Sequence, residues 1–470
     1  MQTDSPQLDT PQINSDDSVS KTYWRYAIPS IFAMLVNGLY QVVDGIFVGH
    51  YLGSTGLAAI NMTIPILAAV AGFGIMIGMG GGSLMSQYRG EQSIAKEQGA
   101  LASSIFLIVL LSLLVMIILM LFSGVLLDLQ GATGQVLQFS QDYLQVFSYG
   151  VLMTIGAATL PMLIRNDNSP TCSTLLIVMG AVLNIILDYL FIAVWQLGLQ
   201  GVAIATVISQ SVVVLIALAY FFSHYSQCKI KFSKINVESL YKTVHLGASS
   251  LFMFFYFGFV IALHNKLFMS YGSTVHVAAF AIVGYVATLY YLIAEGIASG
   301  LQPPVSYYFG AKQTDKIIAT LTLACKVVLI SGITMVLMLN LFPSLLIELF
   351  SQGEKQLTEA ATIGIHLHLF ALFLDGFLFI VTIYYMAVGQ ANKALWVSMG
   401  NMLVQLPFLY FLPLWLGVNG VWLAVPLSNI LLTLIVAPLL WKDLQSLKLH
   451  GSHTVEAKKH PKINRLKLNS

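Results

Sequence analysis

From Leu101 to Leu127 the chain reads LASSIFLIVLLSLLVMIILMLFSGVLL, 27 residues without one charged side chain. As a helix rising 1.5 Å per residue such a run reaches about 40 Å, enough to cross the hydrocarbon core of a bilayer with some tilt, and longer than any soluble core helix needs. Similar runs recur from residue 23 to residue 441. They are far longer than the roughly 10-residue alternating segments of an outer-membrane barrel and show no period-2 pattern. With 57% hydrophobic and 9% charged residues, the chain reads as an all-α membrane protein. Twelve spans are predicted, at 23–49, 56–85, 100–127, 137–162, 171–195, 199–223, 244–269, 275–307, 317–346, 361–388, 392–416 and 418–441.

Charge sets the expected orientation. Of 22 Lys and Arg residues, 17 fall in the two tails and the even-numbered loops, Arg25 and Lys393 sit at the adjoining ends of their spans, Lys266 and Lys326 fall within spans, and only Lys355 lies in an odd-numbered loop. Positive-inside counting then puts both termini in the cytoplasm. Trp24, Trp195, Trp415 and Trp441 fall near span ends, where interfacial anchors belong. Residues 1–22 hold four Asp and one Lys, unlike the basic start of a secretory signal, so the first helix is expected to stay in the mature protein. Cys172, Cys228 and Cys325 have no metal-type spacing and lie at or near the cytoplasmic side or in a span, so no disulfide framework is expected. The basic tail from Lys442 to Lys467 reads as an anchor to anionic lipid rather than a nucleic-acid site.

The chain repeats itself. A shift of 220 residues matches Ala58-Ala59 with Ala278-Ala279, Gly80 with Gly300, Met179-Gly180 with Met399-Gly400, and Ser86-x-Tyr88-x-Gly90 with Ser306-x-Tyr308-x-Gly310. A shift of 219 adds Gly53-Ser54-Thr55 with Gly272-Ser273-Thr274 and Gly201-Val202 with Gly420-Val421. The expected architecture is therefore two six-helix bundles. Six is even, so both halves enter the membrane in the same direction, a parallel repeat about an axis along the membrane normal with a central cavity between them. The divisions expected are a cytoplasmic tail at 1–22, an N-terminal bundle at 23–224, an inter-lobe loop at 225–243, a C-terminal bundle at 244–442 and a basic tail at 443–470. A channel would need a selectivity loop or a ring of like residues, and neither is present.

Inside this frame a deep acid is costly, about 2.5 to 3.5 kcal/mol for an Asp at the helix centre on insertion scales. Four acids are deep: Asp44, Asp188, Glu295 and Asp375. Asn184 and Asp188, four apart in VLNIILDYL, share one helix face, and on the first span Asn37, Tyr40, Gln41, Asp44 and Val48 form a stripe that lipid would not tolerate. Asp44, Asn184 and Asp188 could serve only as a packing network. Against that, neighbouring spans offer no Lys or His except at their ends, so two close carboxylates would have to share a proton or hold a cation such as Na⁺. The 220-residue shift sets them against His264, Val404 and Phe408, which confines this site to the N-terminal half. Glu295 and Asp375 have no such counterparts and are candidates, with Asn37 and Tyr40, for lining the cavity, where carboxylates favour cationic substrates. The glycines of GIMIGMGGGS, residues 74–83, lack a following GK[ST] and fit close helix packing better than a phosphate loop.

Several stretches resemble the multidrug and toxic compound extrusion (MATE) transporters, in particular bacterial members: VDGIFVGHYLGSTGLAAINM, LIRNDNSP followed by GAVLNIILDYLFI, LGLQGVAIATVISQ, and SGLQPPVSYYFGAKQ. The resemblance covers nearly the whole chain. It implies secondary active efflux of organic, chiefly cationic, compounds across the bacterial cytoplasmic membrane in exchange for H⁺ or Na⁺, by alternating access. It maps Asp44, Asn184, Asp188 and Thr206 onto the family's ion-coupling group, and Pro29 onto a proline at which the first helix bends. It implies no cofactor beyond the coupling ion, small organic molecules and the bilayer as partners, no nucleic acid, no enzyme activity, and a monomer. The alternative is a lipid-linked oligosaccharide flippase of the same superfamily, which should line its cavity with several Arg or Lys for pyrophosphate; the spans as drawn hold no deep Arg. An intramembrane aspartyl protease would have only Asp44-Gly45 and Asp375-Gly376 to work with.

Overall fold

The computed structural model describes residues 17–343, 347 and 354–459. Most of the expected N-terminal tail (1–16) and the end of the basic tail (460–470) lie outside the described residues. What is described is almost wholly helical: α1 (Val19–Gly53), α2 (Thr55–Gly90), α3 (Ile94–Leu129), α4 (Gly134–Asn166), α5 (Pro170–Asp188), α6 (Gly198–Phe222), α7 (Val237–Tyr271), α8 (Thr274–Gly310), α9 (Thr314–Leu341), α10 (Lys355–His368), α11 (Leu372–Ala387), α12 (Ala391–Leu416) and α13 (Val418–Lys459). Among the described residues eleven helices are long and apolar enough to cross a membrane, twelve spans when the bent pair α10 and α11 is counted as one. On α3, Leu113, Leu114, Ile117 and Leu121 are exposed, a face that only lipid covers well.

The breaks have local causes. Gly53 takes φ 65°, ψ −162°, a conformation that an L side chain rarely adopts, and turns the chain directly from α1 into α2 without a loop. The tenth span, expected as one helix over 361–388, instead bends by 49° between α10 and α11. No Pro or Gly occupies residues 369–371. The ladder tightens there, with Leu372 N–H donating to Leu369 and Leu374 N–H to Ala371, while His368 Nδ1 meets the Trp422 carbonyl at 3.0 Å. Tertiary anchoring makes this bend, which is why local sequence did not announce it. After Asp188 the helix widens into a π-helical stretch, Tyr189–Val194.

The repeat seen in the sequence is a symmetry of contacts between the two bundles. A Cβ on Gly80 of α2 would collide with Thr243 and Gly247 of α7, and a Cβ on Gly300 of α8 with Ala27 of α1. Gly80 and Gly300 are equivalent under the 220-residue shift, and so are Ala27 and Gly247. Gly90 meets Tyr307 and Gly310, while Gly310 meets Gln87, so the pseudo-two-fold axis passes between Gly90 and Gly310. Small residues let these backbones touch. Polar side chains lock the same seam: Asn166 and Gln302 exchange two amide hydrogen bonds of 3.0 and 2.9 Å, and Gln87 Nε2 donates to the Ala387 carbonyl at 3.0 Å. The contact continues up α1 and α8 through Gly296 on Ile31 to Gly38 on Leu292, and farther along, Gly45 and Gly284 have open space where a Cβ would stand. The bundles therefore close on each other at the end expected to be cytoplasmic and diverge toward the other.

The connection between bundles is tied to the N-terminal one. Asp167 accepts from the Gln227 and Cys228 amides at 2.9 and 3.0 Å, from the Tyr220 hydroxyl at 2.9 Å and from Arg89 at 2.6 Å. Arg89 also pairs with Glu97. Burial, with the Glu97 and Asp167 carboxylates beside it, pushes the Cys228 thiol well above its ordinary range. All three cysteines are free.

Candidate functional site

Four helices of the N-terminal bundle bring their rare polar residues together. Asn184 and Asp188 lie one turn apart on α5 and are buried, Asp188 completely, at 0% exposure. Asn184 Nδ2 reaches the Thr206 hydroxyl of α6 at 3.5 Å, and that hydroxyl itself donates to the Val202 carbonyl at 3.0 Å. Asp44 on α1 interacts electrostatically with Asp188. Tyr40, one turn before Asp44, is within reach of both acids. It therefore joins this group rather than standing apart as a lining residue of the cavity. A sixth member escaped the sequence reading: Tyr143 of α4 is buried with its hydroxyl beside Thr206 and within reach of Asp44, Tyr40 and Asp188. Its signal was a lone Tyr in an apolar span, too common to single out.

The decisive feature is what the acids lack. Asp44 Oδ1, Asn184 Oδ1 and both carboxylate oxygens of Asp188 are buried with no hydrogen-bond donor from the protein. Buried acceptors normally find partners, and stranding a charged one costs several kcal/mol. Two neighbouring carboxylates, one of them fully buried, resist being ionised together unless a proton or a cation is shared between them. The oxygens of Asp44, Asn184, Asp188 and Thr206 are hard ligands of the type that Na⁺ or H⁺ accepts, so the donor set fits either. Among the described residues no three His, Cys, Asp or Glu gather as a metal cluster.

The other candidates separate. Pro29 lies inside α1, whose dihedrals stay helical throughout, the one non-helical residue between Val19 and Gly90 being Gly53; the first helix is thus not broken at Pro29 in this structure. The Pro29 carbonyl accepts from the Thr174 hydroxyl of α5 at 2.9 Å. Asn37 is partly exposed on the same helix. Asp375 on α11 is satisfied within its own bundle, by the Tyr291 hydroxyl at 3.2 Å and by the Asn429 amide. Glu295 on α8 interacts across the seam with Arg165 of α4. Arg165, counted in a loop when spans are drawn from hydropathy, belongs to a helix that runs to Asn166 and is 3% exposed, so the membrane domain does contain a buried arginine.

A family profile described as MatE matches residues 29–190 and 246–411, the two halves of the repeat. The chain belongs to the MatE family. The chain is 26% identical over 410 residues to the multidrug export protein MepA of Staphylococcus aureus (strain MSSA476), covering 86% of this chain and 89% of that one. Its fold matches that of a MATE protein crystallised in complex with MaL6, with a TM-score of 0.86 at 21% identity over 92% of this chain and 98% of the other. It also matches a MOP superfamily transporter from Pyrococcus furiosus Vc1 (DSM3638), with a TM-score of 0.87 at 21% identity over 92% and 97%. A MATE transporter with twelve spans in two bundles is thus the frame in which the polar group has to be understood.

Proposed function

We propose that this MATE transporter exports organic compounds, chiefly cations, across the bacterial cytoplasmic membrane in exchange for H⁺ or Na⁺, with the ion carried at Asp44, Asn184, Asp188 and Thr206. The observation that carries the reading is the set of donorless buried oxygens on Asp44, Asn184 and Asp188, a site complete only when it holds a proton or a cation. The likeness to a multidrug export protein supports the class of cargo. In the proposed cycle an ion enters from outside while the cytoplasmic seam is closed, neutralises the acid pair, and lets α1 rearrange and expel substrate; inward opening then returns the ion to the cytoplasm. Pro29 supplies no backbone N–H, which leaves α1 a weak point below Asp44 for that rearrangement. Coupling requires that ion and substrate each disfavour the other's binding. One charge moved down 100 mV supplies about 2.3 kcal/mol, roughly a 50-fold gradient. Both termini cytoplasmic and a monomeric unit complete the proposal. A flippase would need a cluster of cations for pyrophosphate, whereas Arg165 is set against the Glu295 carboxylate.

The test is reconstitution in liposomes with an imposed pH gradient and ethidium as substrate, with and without Na⁺, comparing wild type with Asp188→Asn. Substrate-driven proton movement in wild type that vanishes in the variant supports proton coupling at this site. Movement only with Na⁺ present makes it a sodium site, and a variant that pumps like wild type removes the assignment.

A further inference from the structure

Arg165 is a buried and poorly matched cation. Its guanidinium is buried, Nη1 stands 3.4 Å from the Ser30 hydroxyl, Nη2 stands 3.8 Å from the Met79 sulfur, and Nε has no partner. A guanidinium offers five N–H groups and is normally satisfied by a carboxylate fork or several carbonyls. Here the acid whose charge acts on it is Glu295, on the other bundle, and no direct ion pair joins them. Tyr26 is the other titratable side chain that acts on it. Glu295, conversely, is partly exposed and, among the described residues, the charge that acts on it is Arg165. The residue after it, Gly296, packs on the Ile31 backbone of α1, next to the Ser30 whose hydroxyl meets Arg165 Nη1, so the two charges flank the same turn of α1 at the closed seam. The 220-residue shift sets Arg165 against Tyr385 and Glu295 against Ile75, so the pair has no twin.

We infer that Glu295 is the carboxylate that holds the positive charge of an organic cation, and that Arg165 is a tethered cation which displaces it when the seam closes. The inference rests on the cation-export reading above and names the group that holds the cargo. When the bundles part at the cytoplasmic end, Glu295 and Arg165 separate, and Glu295 is left without a counter-charge for a cation to supply. When they close, the guanidinium returns to its field and two cations compete for one acid, which favours release toward the open side. The loose fit of Arg165 serves this role: a bidentate ion pair would lock the seam shut, whereas a guanidinium held by a hydroxyl and a thioether can come and go. Arg165 acts on cargo through Glu295 and is a positioning residue.

Equilibrium binding of tetraphenylphosphonium to the purified full chain, with transport in liposomes, tests this. Arg165→Met should bind the cation about tenfold more tightly than wild type and export it more slowly, KM and kcat falling together. A residue that merely supported the fold would raise KM or leave it unchanged. Arg165→Gln, closer in shape and polarity, should behave likewise and guards against a folding defect in the first variant. Glu295→Gln should lose about tenfold or more in affinity, and Arg165→Met combined with Glu295→Gln should bind no better than Glu295→Gln alone. Wild-type affinity in both Arg165 variants, or a gain from Arg165→Met that persists without the acid, overturns the inference while leaving ion coupling at Asp188 intact. A wild-type protein that binds no organic cation overturns the export reading and this inference with it.

Discussion

Each bundle buries aspartate, and the two environments are opposites. Asp375 in the C-terminal bundle receives the Tyr291 hydroxyl on one oxygen and the Asn429 amide on the other. Asp188 in the N-terminal bundle is more deeply enclosed, yet neither of its oxygens has a donor. Burial alone therefore does not mark a working carboxylate; the supply of donors does. A carboxylate whose lone pairs are filled by its own protein has a structural task and little reason to take up an ion. One whose lone pairs are empty, beside a second acid and two neutral oxygens, is unstable until something mobile arrives, and that instability is what an ion gradient can act on.

The largest expected effect separates the two bundles outright. Asp188→Asn and Asp44→Asn should each abolish ion-coupled export in liposomes, a loss of about a hundredfold or more, whereas Asp375→Asn should retain coupling within a few-fold. Loss of coupling in Asp375→Asn with retention in Asp188→Asn would invert the comparison. Stability should move the other way. Without Na⁺ at neutral pH, removing one unsatisfied acid in Asp188→Asn relieves strain between like groups and should raise the melting temperature, while Asn429→Leu strands one Asp375 oxygen and should lower it, by about 1–3 kcal/mol equivalent. Thermal unfolding in detergent reads both signs. Smaller still, Tyr143→Phe deletes only the hydroxyl that stands by Thr206 and should weaken ion binding several-fold with export of saturating substrate largely kept. An Asn184→Ala variant gives the scale, because its loss should be larger.

Much of this was legible in the chain, because membrane solvent makes polarity conspicuous. Runs without charge gave the spans, the 220-residue shift gave the paired bundles, and Asn184 four before Asp188 gave a shared face. What stayed hidden depends on contacts between distant segments. Nothing near Asp375 reveals that Tyr291 and Asn429, 84 and 54 residues away, will satisfy it. Arg165 reads as a loop charge until α4 extends past the hydropathy boundary, and only then does Glu295 acquire an opposite. The bend between α10 and α11 lacks the Pro or Gly that would signal it, since His368 and the Trp422 carbonyl hold it from outside the helix.

The smallest effect tests whether the N-terminal bundle also differs in how its first helix is held. Thr174 of α5 donates to the Pro29 carbonyl of α1, and these are the helices that carry Asp188 and Asp44. Under the 220-residue shift Thr174 corresponds to Ala394 and Pro29 to Ser249, whose hydroxyl turns back to Leu246 in its own helix, so the C-terminal bundle has no such tie. Thr174→Ala makes the first bundle like the second at this point. It removes one hydrogen bond worth about 1 kcal/mol, which biases a two-state helix by roughly fivefold. The arrangement of α1 that the bond supports should become less populated, and spin labels on α1 and α5 at the open end should report a shifted distance distribution. The ion stoichiometry should not change, because no oxygen of the site is altered. If the distribution stays fixed while transport slows, Thr174 acts through packing rather than by holding Pro29, and the asymmetry between the bundles then rests on Asp44, Asn184 and Asp188 alone.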